Sequence, residues 1–198
     1  MKTLGITGGI GSGKTIVCEV FSKLNIPVFN ADNVSKSLLN TSGIIKKQLI
    51  NNFGRDIYDN NNQLNKSKLS DIIFANKEKL QLVNSIVHPI VIENFNVWKT
   101  NYSGCSFVII ESAILFENKL KNLTDKNLLV YSSEETRIKR IVKRDNLSRK
   151  KIQTIMKNQL SDDIKKNKAD IIIYNNDNDM IIPQILDVYN ELNRLWQN

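Results

Sequence analysis

The sequence predicts an α/β fold, a parallel sheet wound with helices on both faces, from three observations. A glycine-rich stretch, Gly8-Gly9-Ile10-Gly11-Ser12-Gly13-Lys14-Thr15, joins a short strand-like run at residues 2–7 to an apolar stripe at helical spacing: Ile16, Val17, Val20, Phe21 and Leu24. Three further runs are continuously apolar over a strand's length: 106–110, 127–131 and 170–174. Such runs suit strands buried on both faces of a parallel sheet. Helical patterns separate them, and that alternation is the mark of a doubly wound sheet.

In order along the chain, residues 2–7 read as the first strand and 14–24 as the first helix. Pro27 to Asn30 reads as a second strand ending at Ala31-Asp32. Residues 33–53 read as helical, with Val34, Leu38, Ile45, Leu49 and Ile50 apolar, and 54–65 as polar and turn-rich. Residues 66–100 return to helical periodicity, and Pro89 in His88-Pro89 is expected to interrupt it. Residues 134–144 and 148–166 read as basic helices, the second capped by Ser148. A last helix runs from Asp177 to the C-terminus. The stretch 33–100 is too long for one crossover and reads as an inserted helical region that shapes an acceptor pocket. The expected division is one domain with a core of 1–32, 101–133 and 169–198, the helical region 33–100, and a basic segment 134–168.

Residues 8–15 satisfy G-x-x-x-x-G-K-[ST], the phosphate-binding loop, in the strand-loop-helix context it requires. Glycines allow the backbone to turn sharply and bring its N–H groups close to a phosphate. The expected contacts come from Gly8, Gly9, Ile10, Gly11, Ser12, Gly13, Lys14, Thr15 and Ile16. Lys14 supplies positive charge for the outer phosphates, and Thr15 a hydroxyl for Mg²⁺. The expected ligands are therefore a nucleoside polyphosphate and Mg²⁺.

The composition is that of a soluble globular chain, and no apolar run approaches a membrane span. The N-terminus enters the glycine loop too early for a signal peptide. Cys18 and Cys105 have no paired spacing, which fits a reducing cytoplasm; with a single histidine they exclude a Cys/His zinc site. The net charge is +8, and residues 134–168 alone hold twelve basic against five acidic residues. The basic character therefore belongs to one segment. It reads as a solvated face, a nucleic-acid patch or a clamp over a polyphosphate. The segment has no Phe, Tyr or Trp, which removes the stacking that single-strand binders use.

In open α/β sheets, ligands sit outside the carboxyl ends of the strands. Asp32, Glu111 and Glu117 fall at such ends. Asp32 is the candidate base for an acceptor hydroxyl, with a helix cap as the alternative. Glu111 stands where an acid supporting Mg²⁺ is found in phosphate-loop proteins, with a solvated strand end as the alternative. Arg140 and Arg144, four apart on one helical face, could stabilise charge on a transferring phosphoryl. His88 reads as structural on spacing alone. Asn167-Lys168-Ala169-Asp170 matches N-K-x-D, but it precedes a strand where a base-reading loop follows one, and no D-x-x-G stretch accompanies it.

These residues together resemble the dephospho-coenzyme A kinase family. The opening Gly5–Thr15 is close to the family's own, and Asn30-Ala31-Asp32 resembles its D-A-D. Phe74-Ala75-Asn76, His88-Pro89, Leu115-Phe116-Glu117, Arg140 with Arg144-Asp145, Gln159, Ala169-Asp170 and Asn175 resemble later landmarks in consistent order. The resemblance implies a phosphate-loop core, a helical coenzyme-binding region and a mobile basic lid. It implies ATP-dependent phosphorylation of the ribose 3′-hydroxyl of dephospho-CoA, with Asp32 as base, Lys14 and Arg140 on the transferring phosphoryl, and Asn175 near the adenine. It adds Arg144 to the nucleotide contacts and His88, Glu111 and Glu117 to those of the acceptor. The partner is then a small molecule rather than nucleic acid or membrane, for a monomer or weak oligomer. Departures stand at Asn30 (usually Asp), Ala113 (usually Pro), Asn62 (usually Gly) and Lys66 (usually Arg). Another phosphate-loop small-molecule kinase and a nucleotide-regulated RNA-binding module are the rival readings.

Overall fold

The structure is a computed structural model that describes residues 1–74 and 76–196. Ala75, within the Phe74-Ala75-Asn76 landmark, and the final two residues of the expected last helix lie outside the described residues. Five strands form one parallel sheet: β1 (Lys2–Thr7), β2 (Val28–Asn30), β3 (Phe107–Glu111), β4 (Lys126–Tyr131) and β5 (Ile171–Tyr174), in the order β2-β3-β1-β4-β5. Register aligns their carboxyl ends, with Ile6 and Asn30 both level with Glu111. The chain divides into two units, Met1–Asn30 with the chain from Trp98 onward, and Ala31–Val97.

In the first unit, α1 (Lys14–Lys23) follows the glycine loop and α9 (Ile181–Trp196) closes the chain. Val17, Cys18 and Phe21 of α1 and Ile185, Val188 and Leu192 of α9 join Leu4, Ile6, Phe107, Ile109, Leu128, Val130 and Ile173 in one buried cluster. Each large side chain buried this way contributes about 1.5–3 kcal/mol. Cys18 is a packing residue there; burial, with the charge of Glu111 adding to it, pushes its thiol far above the ordinary range.

The basic segment forms three helices, α6 (Glu134–Asp145), α7 (Arg149–Lys157) and α8 (Asp162–Lys168). Ser133, Ser148 and Ser161 cap them by accepting from Thr136, Lys151 and Ile164 N–H groups. Ser148 therefore caps as expected, but the single helix expected at 148–166 is two, because Ser161 with Asp162 and Asp163 starts a new one. The last helix also starts later than expected, at Ile181, because Asp179 accepts from the Asn176 N–H and holds a turn before it.

The second unit contains α2 (Ala31–Thr41), α3 (Gly43–Phe53), α4 (Lys66–Phe74) and most of α5 (Lys77–Thr100). The helix expected over 33–53 is divided at Ser42, whose hydroxyl accepts from the Ile45 N–H. The expected strand end at Ala31-Asp32 is already the first turn of α2. Pro89 does not interrupt α5. The carbonyl it leaves without a donor belongs to exposed Ser85, while Val83, Ile86, Val87, Val91 and Phe95 continue one buried stripe past it. The polar stretch between α3 and α4 closes through a Tyr58–Leu64 bridge. Asn62 there takes a left-handed φ of 63°, which asparagine tolerates better than most side chains, so it can stand where glycine is usual.

Candidate active site

The loop from Gly8 to Gly13 leaves β1 at the carboxyl edge of the sheet and enters α1. Gly11 (φ 79°) and Gly13 (φ 96°) hold left-handed backbone that a side chain would strain. A Cβ on Gly13 would also lie 2.1 Å from the Asn175 amide nitrogen. Gly13 is the N-cap of α1 and brings no side chain to it, so an anion can take the place of a capping group at this helix end. Ser12 Oγ is buried and has no hydrogen-bond partner among the described residues. Thr15 and Ile16 are exposed in the first turn of α1.

Lys14 Nζ donates to the Gly8 carbonyl at 3.1 Å and lies 3.9 Å from Glu111 Oε1. Glu111 is the buried last residue of β3, and Asn30 at the end of β2 donates its amide to the other carboxylate oxygen at 2.5 Å. The neutral residue at position 30 is thus a donor to an acid; a carboxylate there would repel it. One end of the site is a lysine held between a carbonyl and a buried carboxylate.

The other end is built from β4 and β5. Asn175 follows β5; its amide donates to the Ser12 carbonyl at 2.8 Å, and its own carbonyl accepts from Arg140 Nη1 at 2.9 Å. Ser132, just after β4, lies within 2.5 Å of that same carbonyl, and Arg140 Nη1 reaches its hydroxyl at 3.3 Å. Arg140 Nη2 meets Asp177 at 3.3 Å. Arg140 is therefore joined to the loop through Asn175 and Ser132. Arg144 instead pairs with Asp145 at 2.7 Å and is mostly exposed, so among the described residues the two arginines have different partners.

Glu117 accepts from the Leu160 N–H at 2.9 Å and lies 3.6 Å from Lys165 Nζ. Lys165 is fully buried; that burial lowers its pKa, and Glu117 partly offsets it. Asp32 and His88 belong to the second unit. Asp32 stands in the first turn of α2, where the helix dipole favours a carboxylate. His88 on α5 is half-buried, and burial holds its pKa below 6.5 while the charge of Asp32 acts in the opposite direction.

Ser132, Arg137 and Lys165 join this network without having stood out in the sequence, and Gln159 stood out only as a landmark of the resemblance. Ser132 had one available signal, its place directly after a buried strand. Buried Arg137 pairs with Asp162 at 2.6 Å, but in the sequence it is one of twelve basic residues in a crowded segment.

A family model described as dephospho-CoA kinase matches residues 2–180. A protein of Bacteroides fragilis (strain YCH46) so named is 36% identical over 185 residues, 93% of this chain and 90% of its own. Among solved structures, TT1252 from Thermus thermophilus has a TM-score of 0.82 at 22% identity, covering 98% of this chain and 97% of that one. The dephospho-CoA kinase from Campylobacter jejuni has a TM-score of 0.69 at 22% identity, covering 98% of each chain.

Proposed function

As a member of the dephospho-CoA kinase family, the chain is a phosphotransferase that uses ATP to phosphorylate dephospho-CoA in coenzyme A synthesis, and we propose that the acceptor atom is the ribose 3′-hydroxyl, with Asp32 as its base. The observation that carries this reading is the glycine loop with Lys14 drawn up between the Gly8 carbonyl and Glu111, backed by the Asn175–Ser132–Arg140 network.

The roles follow from charge. The loop N–H groups other than that of Ile10, which donates to Gln159, and the N-terminus of α1 bind the phosphates. Lys14 and Arg140 lie against the transferring phosphoryl and stabilise the charge spread over its oxygens. The acceptor oxygen forms a bond to the γ-phosphorus as the bond to the ADP oxygen breaks, and the hydroxyl proton passes to the Asp32 carboxylate. The acceptor contacts are assigned to residues 31–97, where the charge of Asp32 reaches His88. The basic segment 134–168 is assigned to the polyphosphate as its lid.

Mg²⁺ fits the donor set at Thr15. Its hydroxyl is exposed in the first turn of α1, hard oxygen ligands suit this ion, and phosphate oxygens supply the rest. Thr15 would hold the ion together with the nucleotide's phosphate oxygens. Bound there, it neutralises charge on the outer phosphates. No helix among the described residues is long and apolar enough to cross a membrane. A cytoplasmic, monomeric or weakly associating enzyme acting on a small molecule completes the reading, and free Cys18 and Cys105 support the reducing compartment.

A substrate panel tests it. ADP release should rise with dephospho-CoA and stay at background with nucleosides, sugars and shikimate; turnover of another alcohol with dephospho-CoA untouched would end the reading.

A further inference from the structure

Gly9, Ile10 and Gly11 are each held from outside the phosphate loop. Gly9 lies against the guanidinium of Arg137, so close that a Cβ would fall 1.8 Å from Nη1. A Cβ on Gly11 would fall 2.9 Å from the Ile141 side chain. The Ile10 side chain packs against Ile138, Ile141 and Ile152, a small apolar cluster shared by α6 and α7. The Ile10 N–H donates to Gln159 Oε1 at 3.1 Å, and Gln159 Nε2 donates to the Ala113 carbonyl at 3.4 Å.

Gln159 lies in the turn between α7 and α8, and Ala113 in the loop after β3. One side-chain amide thus ties the phosphate loop to the loop that follows Glu111. The turn carrying it is itself anchored, because Leu160 N–H donates to Glu117, and Glu117 faces the buried Lys165 ammonium. A main-chain N–H in a phosphate loop is satisfied either by the anion or by a protein acceptor. At Ile10 the protein acceptor is in place, and it fixes the Gly9–Ile10 peptide plane. The path of the loop from Gly11 onward starts from that plane.

We infer that Gln159 is a positioning residue for the phosphate loop, acting through the Ile10 N–H to hold the loop in its triphosphate-binding shape. It touches the loop and not the substrate. The inference rests on reading that loop as the ATP site.

Two variants of similar size separate the possibilities. Gln159→Met keeps the length and removes both polar ends, whereas Gln159→Glu keeps an acceptor for Ile10. Amide hydrogen exchange of the nucleotide-free chain is read by NMR, and ATP affinity by calorimetry, with no acceptor added. In Gln159→Met the Ile10 amide should exchange about tenfold faster or more, the β1 amides of Leu4 and Ile6 should keep their rates, and ATP should bind about five- to tenfold more weakly. In Gln159→Glu the Ile10 amide should regain protection to within about twofold of wild type. Unchanged Ile10 exchange, unchanged ATP affinity in the Met variant, or acceleration of β1 together with Ile10 would each overturn the inference. If the Met variant does not fold, wild type decides. An Ile10 amide at least about tenfold slower than an open chain supports the inference, and an unprotected one overturns it. A wild-type chain with no affinity for ATP would remove the phosphate-loop reading as well. A wild type that binds ATP beside indifferent variants removes the role of Gln159 alone.

Discussion

Alanine at position 9 would set a methyl group 1.8 Å from Arg137 Nη1 and 2.9 Å from Cζ. Gly9 is not one of the left-handed glycines, which are Gly11, Gly13 and Gly54, so alanine meets no left-handed backbone there. The whole cost then comes from the contact. A guanidinium could simply swing away if it were on the surface. The Arg137 side chain is 7% exposed, pairs with Asp162 at 2.6 Å, and has its Nε already buried without a partner. Breaking a fully buried pair costs about 3–5 kcal/mol. Asp162 is 29% exposed and can turn to water, which brings the expectation for Gly9→Ala to about 2–3 kcal/mol. Arg137→Ala loses the same pair and should cost a similar amount. The double variant should be no less stable than the worse single one, because the new methyl enters space that the guanidinium has left. That is a coupling of about 2 kcal/mol. Urea unfolding followed by circular dichroism measures it; with a slope of about 2 kcal/mol/M the single variants should lose about 1 M in midpoint. Costs that simply add in the double variant would refute the contact as the cause.

Five other outcomes are expected. Asp32→Asn should lower kcat by about 10²–10⁴-fold with ATP affinity nearly unchanged, and unaltered turnover would remove Asp32 as the base. The same variant should move the His88 NMR titration further below 6.5, since the charge of Asp32 opposes the effect of burial; a rise would contradict this placement. Because the fold disfavours the protonated imidazole, stability linked to His88 is complete above pH 6.5 and is lost as pH falls through the lower folded value. Thermal unfolding of His88→Gln should therefore show less acid sensitivity than wild type. Arg140→Ala should lower turnover by about a hundredfold or more, and a loss confined to stability would contradict its role. Asn30→Asp should set two carboxylates against each other where an amide now donates to Glu111, lowering Tm at neutral pH and recovering it on acidification; a Tm deficit independent of pH would contradict that reason.

Local pattern carried the sequence reading a long way. Buried strands such as β3 are apolar without a break from Phe107 to Ile110, and the glycine loop fixes which strand comes first. Errors came where a local signal met a tertiary one. Pro89 signals a break, but a buried stripe running from Val83 to Phe95 outweighs one missing hydrogen bond on the exposed side of α5. The caps at Ser42 and Ser161 were visible as residue types, yet apolar periodicity on both sides hid the breaks they make. At the site, Lys14 could be picked out because its motif marks it. The partners of Arg140 could not, because Ser132 and Asn175 meet it only when the ends of β4 and β5 lie side by side. Gln159 reaches Ile10 across 149 positions of chain, and no periodicity reports such a pair.

Mixing the purified chain with ATP, Mg²⁺ and dephospho-CoA and locating the transferred phosphate by ³¹P NMR and mass spectrometry tests the account most directly. One phosphate on the ribose 3′-oxygen for each ADP released is the predicted result. ATP that is not consumed, or a phosphate attached at any other atom, would contradict it.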